Sequence, residues 1–119
     1  MLPPDWWLTT ATSAGVIAPV VEEFFFRAVV LVATYQLLRR STGAPAAAVT
    51  SALVSAGGFV LLHAAFSAEG LTDGIQLFIV GATCSALVLL TGRIWGAVVV
   101  HIAYNVSFLA LVVLGSVLQ

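Results

Sequence analysis

The sequence predicts an all-α protein, a polytopic membrane bundle of about four transmembrane helices. Three observations carry that prediction. Of the 119 residues 61% are hydrophobic and only 8% charged, with no lysine, too few polar side chains to cover a water-soluble globule of this size. The mean hydropathy is +1.15. The apolar residues fall into long continuous runs, each near the roughly 20 residues that a helix needs to cross a bilayer. Alternating segments of about ten residues, the mark of a membrane strand barrel, do not occur.

The elements follow in order along the chain. MLPPDWW carries an acid where a secretory signal would have its basic n-region, so no cleaved signal is expected. Trp6 and Trp7 read as anchors at headgroup level. Residues 13–38 make the first span, with a break expected near Pro19. Arg39 and Arg40 close it, and STGAP follows as a turn. Residues 46–66 form a second span free of formal charge, and SAEGLTDG, with Glu69 and Asp73, is a polar connection. Residues 74–92 and 94–118 form the third and fourth spans, separated only at Thr91, Gly92 and Arg93. The whole chain, residues 1–119, is expected to be a single membrane-embedded domain. Small residues such as Gly57, Gly58, Gly81, Ala82, Ser85, Gly96 and Ala97 let helices approach closely. Arg39, Arg40 and Arg93 fall on one side and Asp5, Glu69 and Asp73 on the other, which by the positive-inside rule puts both chain ends outside.

Several functions are excluded early. A net charge of −1 and four scattered arginines offer no basic patch for nucleic acid. Cys84 is the only cysteine, so there is no internal disulfide, CxxC pair or cysteine-rich zinc site. It reads as a small apolar residue within a helix.

The informative residues are the polar ones inside the spans: Glu22, Glu23, Arg27, Gln36, His63, Gln76, His101 and Asn105. An ionised group near the bilayer centre costs roughly 2.5 to 3.5 kcal/mol on insertion scales, so each needs a partner or a task. In VVEEFFFRAVV, Glu23 and Arg27 are four apart with the acid first, the favoured order for a helical ion pair. Glu22 is rotated about 100° away and is five residues from Arg27, so one carboxylate is left over. It either finds a hydrogen-bond partner on another helix or serves a function. His63 follows Phe59 by four, on the same face, and His101 precedes Asn105 by four. Each pair alone reads equally well as ordinary helix-to-helix bonding. Together, a spare carboxylate, two imidazoles and an amide on three helices make the parts list of a hydrolytic site. A carboxylate takes a proton from water, and a histidine orients that water or protonates a leaving group. Histidine and asparagine donate to an oxyanion. The serines lack a GxSxG context, and Cys84 has no histidine near it in sequence.

Glu22-Glu23-x-x-x-Arg27, then Phe59-x-x-x-His63, then His101-x-x-x-Asn105, with APVVEE around the first and TGRIWG ahead of the last, resemble the CPBP family of intramembrane proteases. These are the CAAX-processing and bacteriocin-processing proteases, also called Abi. The resemblance covers roughly residues 14–108. It implies that Glu22 activates the attacking water with help from His63, that His101 and Asn105 stabilise the oxyanion, and that Glu23, Arg27 and Phe59 support them. It also implies hydrolysis of a peptide bond in a membrane-associated or prenylated peptide or protein, by a multi-pass protein of the plasma or inner membrane if the source is prokaryotic. Ala28 departs from the glycine that usually follows the motif arginine. Most relatives have additional helices, so four spans correspond to a minimal core of the family fold.

On the residues alone, Glu22, His63 and His101 could hold zinc with an open position for water. HExxH is absent, and the resemblance points to a glutamate-dependent site with no cofactor. One geometric conflict arises. At 1.5 Å per residue, Glu22 and His63 lie roughly 25 Å from the arginine-bearing side and His101 about 12 Å from Arg93. Convergence requires the third connection to dip into the membrane, or a helix to be short or strongly tilted. Two other functions fit the same residues: a non-catalytic immunity or interaction protein of this fold, and a proton or ion pathway through Glu22 and the histidines.

Overall fold

The computed structural model describes residues 4–68 and 70–118. Glu69, one of the three acids in the charge count, lies outside the described residues, as do the first three residues of MLPPDWW and residue 119. The described chain is helical from end to end, with short connections. We call its helices α1 (residues 7–42), α2 (Ala44–Phe66), α3 (Leu71–Thr91) and α4 (Trp95–Val117). The last three are each long and apolar enough to cross a membrane. The first expected span, residues 13–38, lies wholly within α1.

The first helix is not uniform. Trp7–Ala11, Ser13–Ile17 and Phe24–Leu31 are wound as π-helix, and Ala18–Glu23 and Val32–Thr42 as α-helix. The residues joining these stretches, Thr12, Ala18, Phe24 and Val32, all keep right-handed helical dihedrals, so the rod is continuous. The break expected at Pro19 does not occur. Proline lacks an N–H and its ring collides with the carbonyl four residues back in an α-helix. Here Pro19 occupies the first turn of Ala18–Glu23, directly after a π stretch. The ladder changes from i→i+5 to i→i+4 at that point, where a missing donor is best tolerated.

Helix ends are set by local chemistry. Gly43, with φ +82°, is the one residue between α1 and α2, and Gly92, with φ +66°, ends α3 and donates to Val88 O at 2.8 Å. Both occupy backbone space that favours glycine. At the start of α3, Asp73 Oδ2 accepts from the Gly70 N–H at 3.0 Å.

The C-terminal half of α1 packs on α2, α2 on α3, α3 on α4, and α4 on the N-terminal half of α1, which closes a four-helix ring. Leu61, Leu90, Val99 and Leu111 face outward, as in a lipid-solvated surface, whereas the largest fully buried side chains include Arg27, His101 and Glu23. The bundle is apolar outside and ionic at its centre. Helices approach closely at Gly81 of α3, where a Cβ would lie 3.1 Å from Ala56 Cα and 3.3 Å from Arg27 Nη2.

That crossing gives a test. Gly81→Val is expected to destabilise the bundle by about 1–3 kcal/mol through overpacking. Gly57→Ala, at a position with nothing within 4 Å of the added carbon, serves as the matched control and is expected to leave stability unchanged or slightly raised. Unfolding by denaturant in mixed micelles measures both.

Candidate active site

Glu22 and Glu23 end the α-helical stretch Ala18–Glu23, and Arg27 sits in the π stretch that follows. The Glu23–Arg27 pair forms, with Arg27 Nε 3.1 Å from Glu23 Oε2 and both side chains 0% exposed. The guanidinium also reaches α3, donating from Nη2 to Gly81 O at 3.0 Å. The other oxygen of Glu23 does what the spacing alone did not indicate. Its Oε1 lies 2.8 Å from His101 Nδ1, so this carboxylate joins α1 to α4 as well as to Arg27.

This contact fixes the state of the imidazole. A carboxylate oxygen accepts, so His101 Nδ1 carries the hydrogen and donates it. The opposite nitrogen, Nε2, faces Glu22 Oε2 at 3.5 Å. His101 is 1% exposed, and the Glu22 side chain is 22% exposed. Glu22 is thus the acid of the pair with an open side, and an imidazole lies between the two carboxylates.

Phe59 is the hub of the packing. Its ring meets His63 at 4.5 Å, His101 at 5.2 Å and Phe26 at 5.5 Å between centroids, all edge-on. Arg27 Cζ stands 5.2 Å from the same ring, within cation–π range. One aromatic side chain thereby holds the two histidines and the arginine in fixed relation. His63 Nδ1 donates to Phe59 O at 2.9 Å, which leaves Nε2 as an acceptor in the neutral ring.

Asn105 is anchored on the first helix. Its Nδ2 donates to Ala14 O at 2.8 Å, in the π stretch Ser13–Ile17. Ser55 Oγ likewise donates to Phe26 O at 2.9 Å, in the third π stretch. The widened turns of α1 thus give up carbonyls to side chains from α4 and α2. Asn105 and His63 line a cavity of about 370 Å³ that also receives Asp73, Gln76 and Tyr104. The Tyr104 hydroxyl donates to Gln76 Oε1 across it at 3.3 Å. Glu22 and His101 do not line this cavity, which lies one helical turn from His101 along α4. The cavity residues on α3 were missed by motif reading, since an Asp near a loop and a Gln in a span carry no spacing signal.

Among the described residues no three His, Cys, Asp or Glu side chains gather in a way that holds a metal ion, Glu22, His63 and His101 included. Cys84 is buried, with its thiol 3.5 Å from Ala97 O.

Glu23→Gln is expected to cost about 3–5 kcal/mol, because it leaves Arg27 buried and uncompensated. The double variant Glu23→Gln/Arg27→Met is expected to recover part of that loss. Denaturant titrations of the two variants against the parent measure the difference, and equal stability would show that the pair is not the source.

Comparison with known proteins agrees with the motifs. The family model described as type II CAAX prenyl endopeptidase Rce1-like matches residues 4–107. No curated protein and no solved structure matches the chain. The matched stretch contains Glu22, Glu23, Arg27, Phe59, His63, His101 and Asn105, and spans most of the 119 residues. This helical membrane protein belongs to the Rce1-like family of type II CAAX prenyl endopeptidases, a family of proteases.

Proposed function

We propose that the protein is a multi-pass intramembrane endopeptidase that cuts a membrane-associated or prenylated peptide by glutamate-activated water, without a metal. The observation that carries this reading is the imidazole of His101 lying between Glu23 Oε1 at 2.8 Å and Glu22 Oε2 at 3.5 Å. Glu23 holds the ring by Nδ1, so Nε2 is aimed at the one carboxylate with an open side. That division of labour, one acid to orient and one to react, is the logic of a carboxylate–histidine site.

In the proposed reaction Glu22 removes a proton from water as the oxygen adds to the scissile carbonyl carbon. His63, with Nε2 as its open acceptor, orients that water. The carbonyl oxygen becomes an oxyanion, which receives hydrogen bonds from His101 Nε2 and from the second N–H of the Asn105 amide. The hydrogen on Nδ1 is committed to Glu23, so His101 can donate from Nε2 only as imidazolium. The proton taken by Glu22 then passes to the departing nitrogen as the C–N bond breaks, leaving a carboxylic acid and an amine, and the acid's proton moves to the amine to give carboxylate and ammonium. Cys84 takes no part, and neither do the serines.

The purified protein, reconstituted in liposomes with a panel of quenched prenylated and unprenylated peptides, tests this. Glu22→Gln and His101→Ala are each expected to lower kcat/KM by about 10²–10⁴-fold with the helical circular dichroism unchanged. Cleavage that persists at the parent rate in Glu22→Gln would sink the proposal. Cleavage unaffected by chelators is the outcome expected of a metal-free site, and restoration by added zinc would contradict it.

A further inference from the structure

The cavity between the N-terminal part of α1, the end of α2, the start of α3 and α4 shares His63 and Asn105 with the proposed reaction, and it carries at Asp73 a chemistry that the reaction does not use. At about 370 Å³ it is in the size range of ligand pockets. Asp73 is the one charged side chain among the residues that line it, and no arginine reaches it. Several donors along its wall are already committed to the protein. Tyr104 O–H donates to Gln76 Oε1, His63 Nδ1 to Phe59 O, and one Asn105 N–H to Ala14 O. The Asp73 carboxylate gives only one oxygen to the backbone, at Gly70 N. What the cavity presents is an anion and acceptors at one end and the apolar sides of Leu77 and Phe108 along the rest.

A long aliphatic stem that ends in a cation matches such a surface, with the stem on apolar walls and the head on the carboxylate. A free terminal carboxylate does not, because it would face Asp73 with no positive side chain to offset the repulsion. We propose that this cavity is the subsite for a cationic side chain of the substrate, a lysine or arginine near the bond to be cut, with Asp73 as its counter-charge. This deepens the protease reading and rests on it for the word substrate. The position fits, since two residues lining the cavity lie close to His101: His63 meets the same Phe59 ring, and Asn105 stands four residues further along α4. A side chain seated at Asp73 would bring its own backbone alongside them.

Binding, rather than cleavage, provides the test. The full chain in zwitterionic bicelles is titrated with end-capped farnesylated octapeptides that carry Lys, Gln or Glu at one scanned position, and fluorescence anisotropy reads the Kd. At low salt the Lys peptide is expected to bind about 5-fold or more tighter than the Glu peptide at one position, with Gln between them. Asp73→Asn keeps the oxygen that caps Gly70 N, and it is expected to bring the Lys-to-Glu ratio near one. Added salt is expected to shrink the ratio in the parent protein. A parent ratio near one at every scanned position, or a ratio that survives in Asp73→Asn, would overturn the subsite. Charge selectivity with no cleavage of any peptide would remove the protease reading and leave the subsite standing, whereas cleavage indifferent to charge would do the reverse.

Discussion

Glu23 is the constraint on which the rest of the structure depends. Its two oxygens hold Arg27 on its own helix and His101 on α4, and Arg27 passes the connection on to Gly81 of α3. Three of the four helices are therefore tied through one buried carboxylate, and Phe59 brings α2 against the same group. A bilayer supplies no hydrophobic force to press helices together, because lipid tails are as apolar as leucine. Polar ties and close packing must do that work. A carboxylate without a partner would carry a cost of several kcal/mol, so the ionic cluster and the bundle require one another.

Much of this was legible in the sequence, for identifiable reasons. Hydropathy marked four helical segments, with ends within a few residues for α2, α3 and α4. The i,i+4 rule found the Glu23–Arg27 pair, because that pairing is local. The bond from Glu23 to His101 crosses 78 positions, and no periodicity connects such residues; only the scarcity of polar groups hinted that these would meet. The anchoring of Asn105 on Ala14 was hidden for another reason. It depends on a carbonyl that an ordinary α-helix would have kept for itself. The Asp73 cavity was hidden because its residues have ordinary roles one at a time, Asp73 as a helix cap and Gln76 as a polar residue in a span.

Counting at the α-helical rise set Glu22 roughly 13 Å deeper than His101, yet the side chains meet. Phe24–Leu31 is wound with i→i+5 bonds, and a wider turn gains less height per residue, which removes a few ångströms of that difference. The spacing of the charges did hold: Arg27 pairs with Glu23, four residues back, and Glu22, five back, turns to His101.

The two halves of α1 serve different neighbours, the N-terminal half facing α4 and the C-terminal half facing α2. In a regular α-helix each residue advances the facing direction by about 100°, so a single faithful helix would hold one half in an azimuth dictated by the other. The π stretch between them acts as a phase shifter. It lets the acids keep their bearing on His101 while the residues beyond Leu31 take up an independent bearing on α2. A chain shortened by one residue in that stretch would have nearly the same composition and hydropathy and the same motif order, yet its carboxylates and its distal face could not both be aimed correctly.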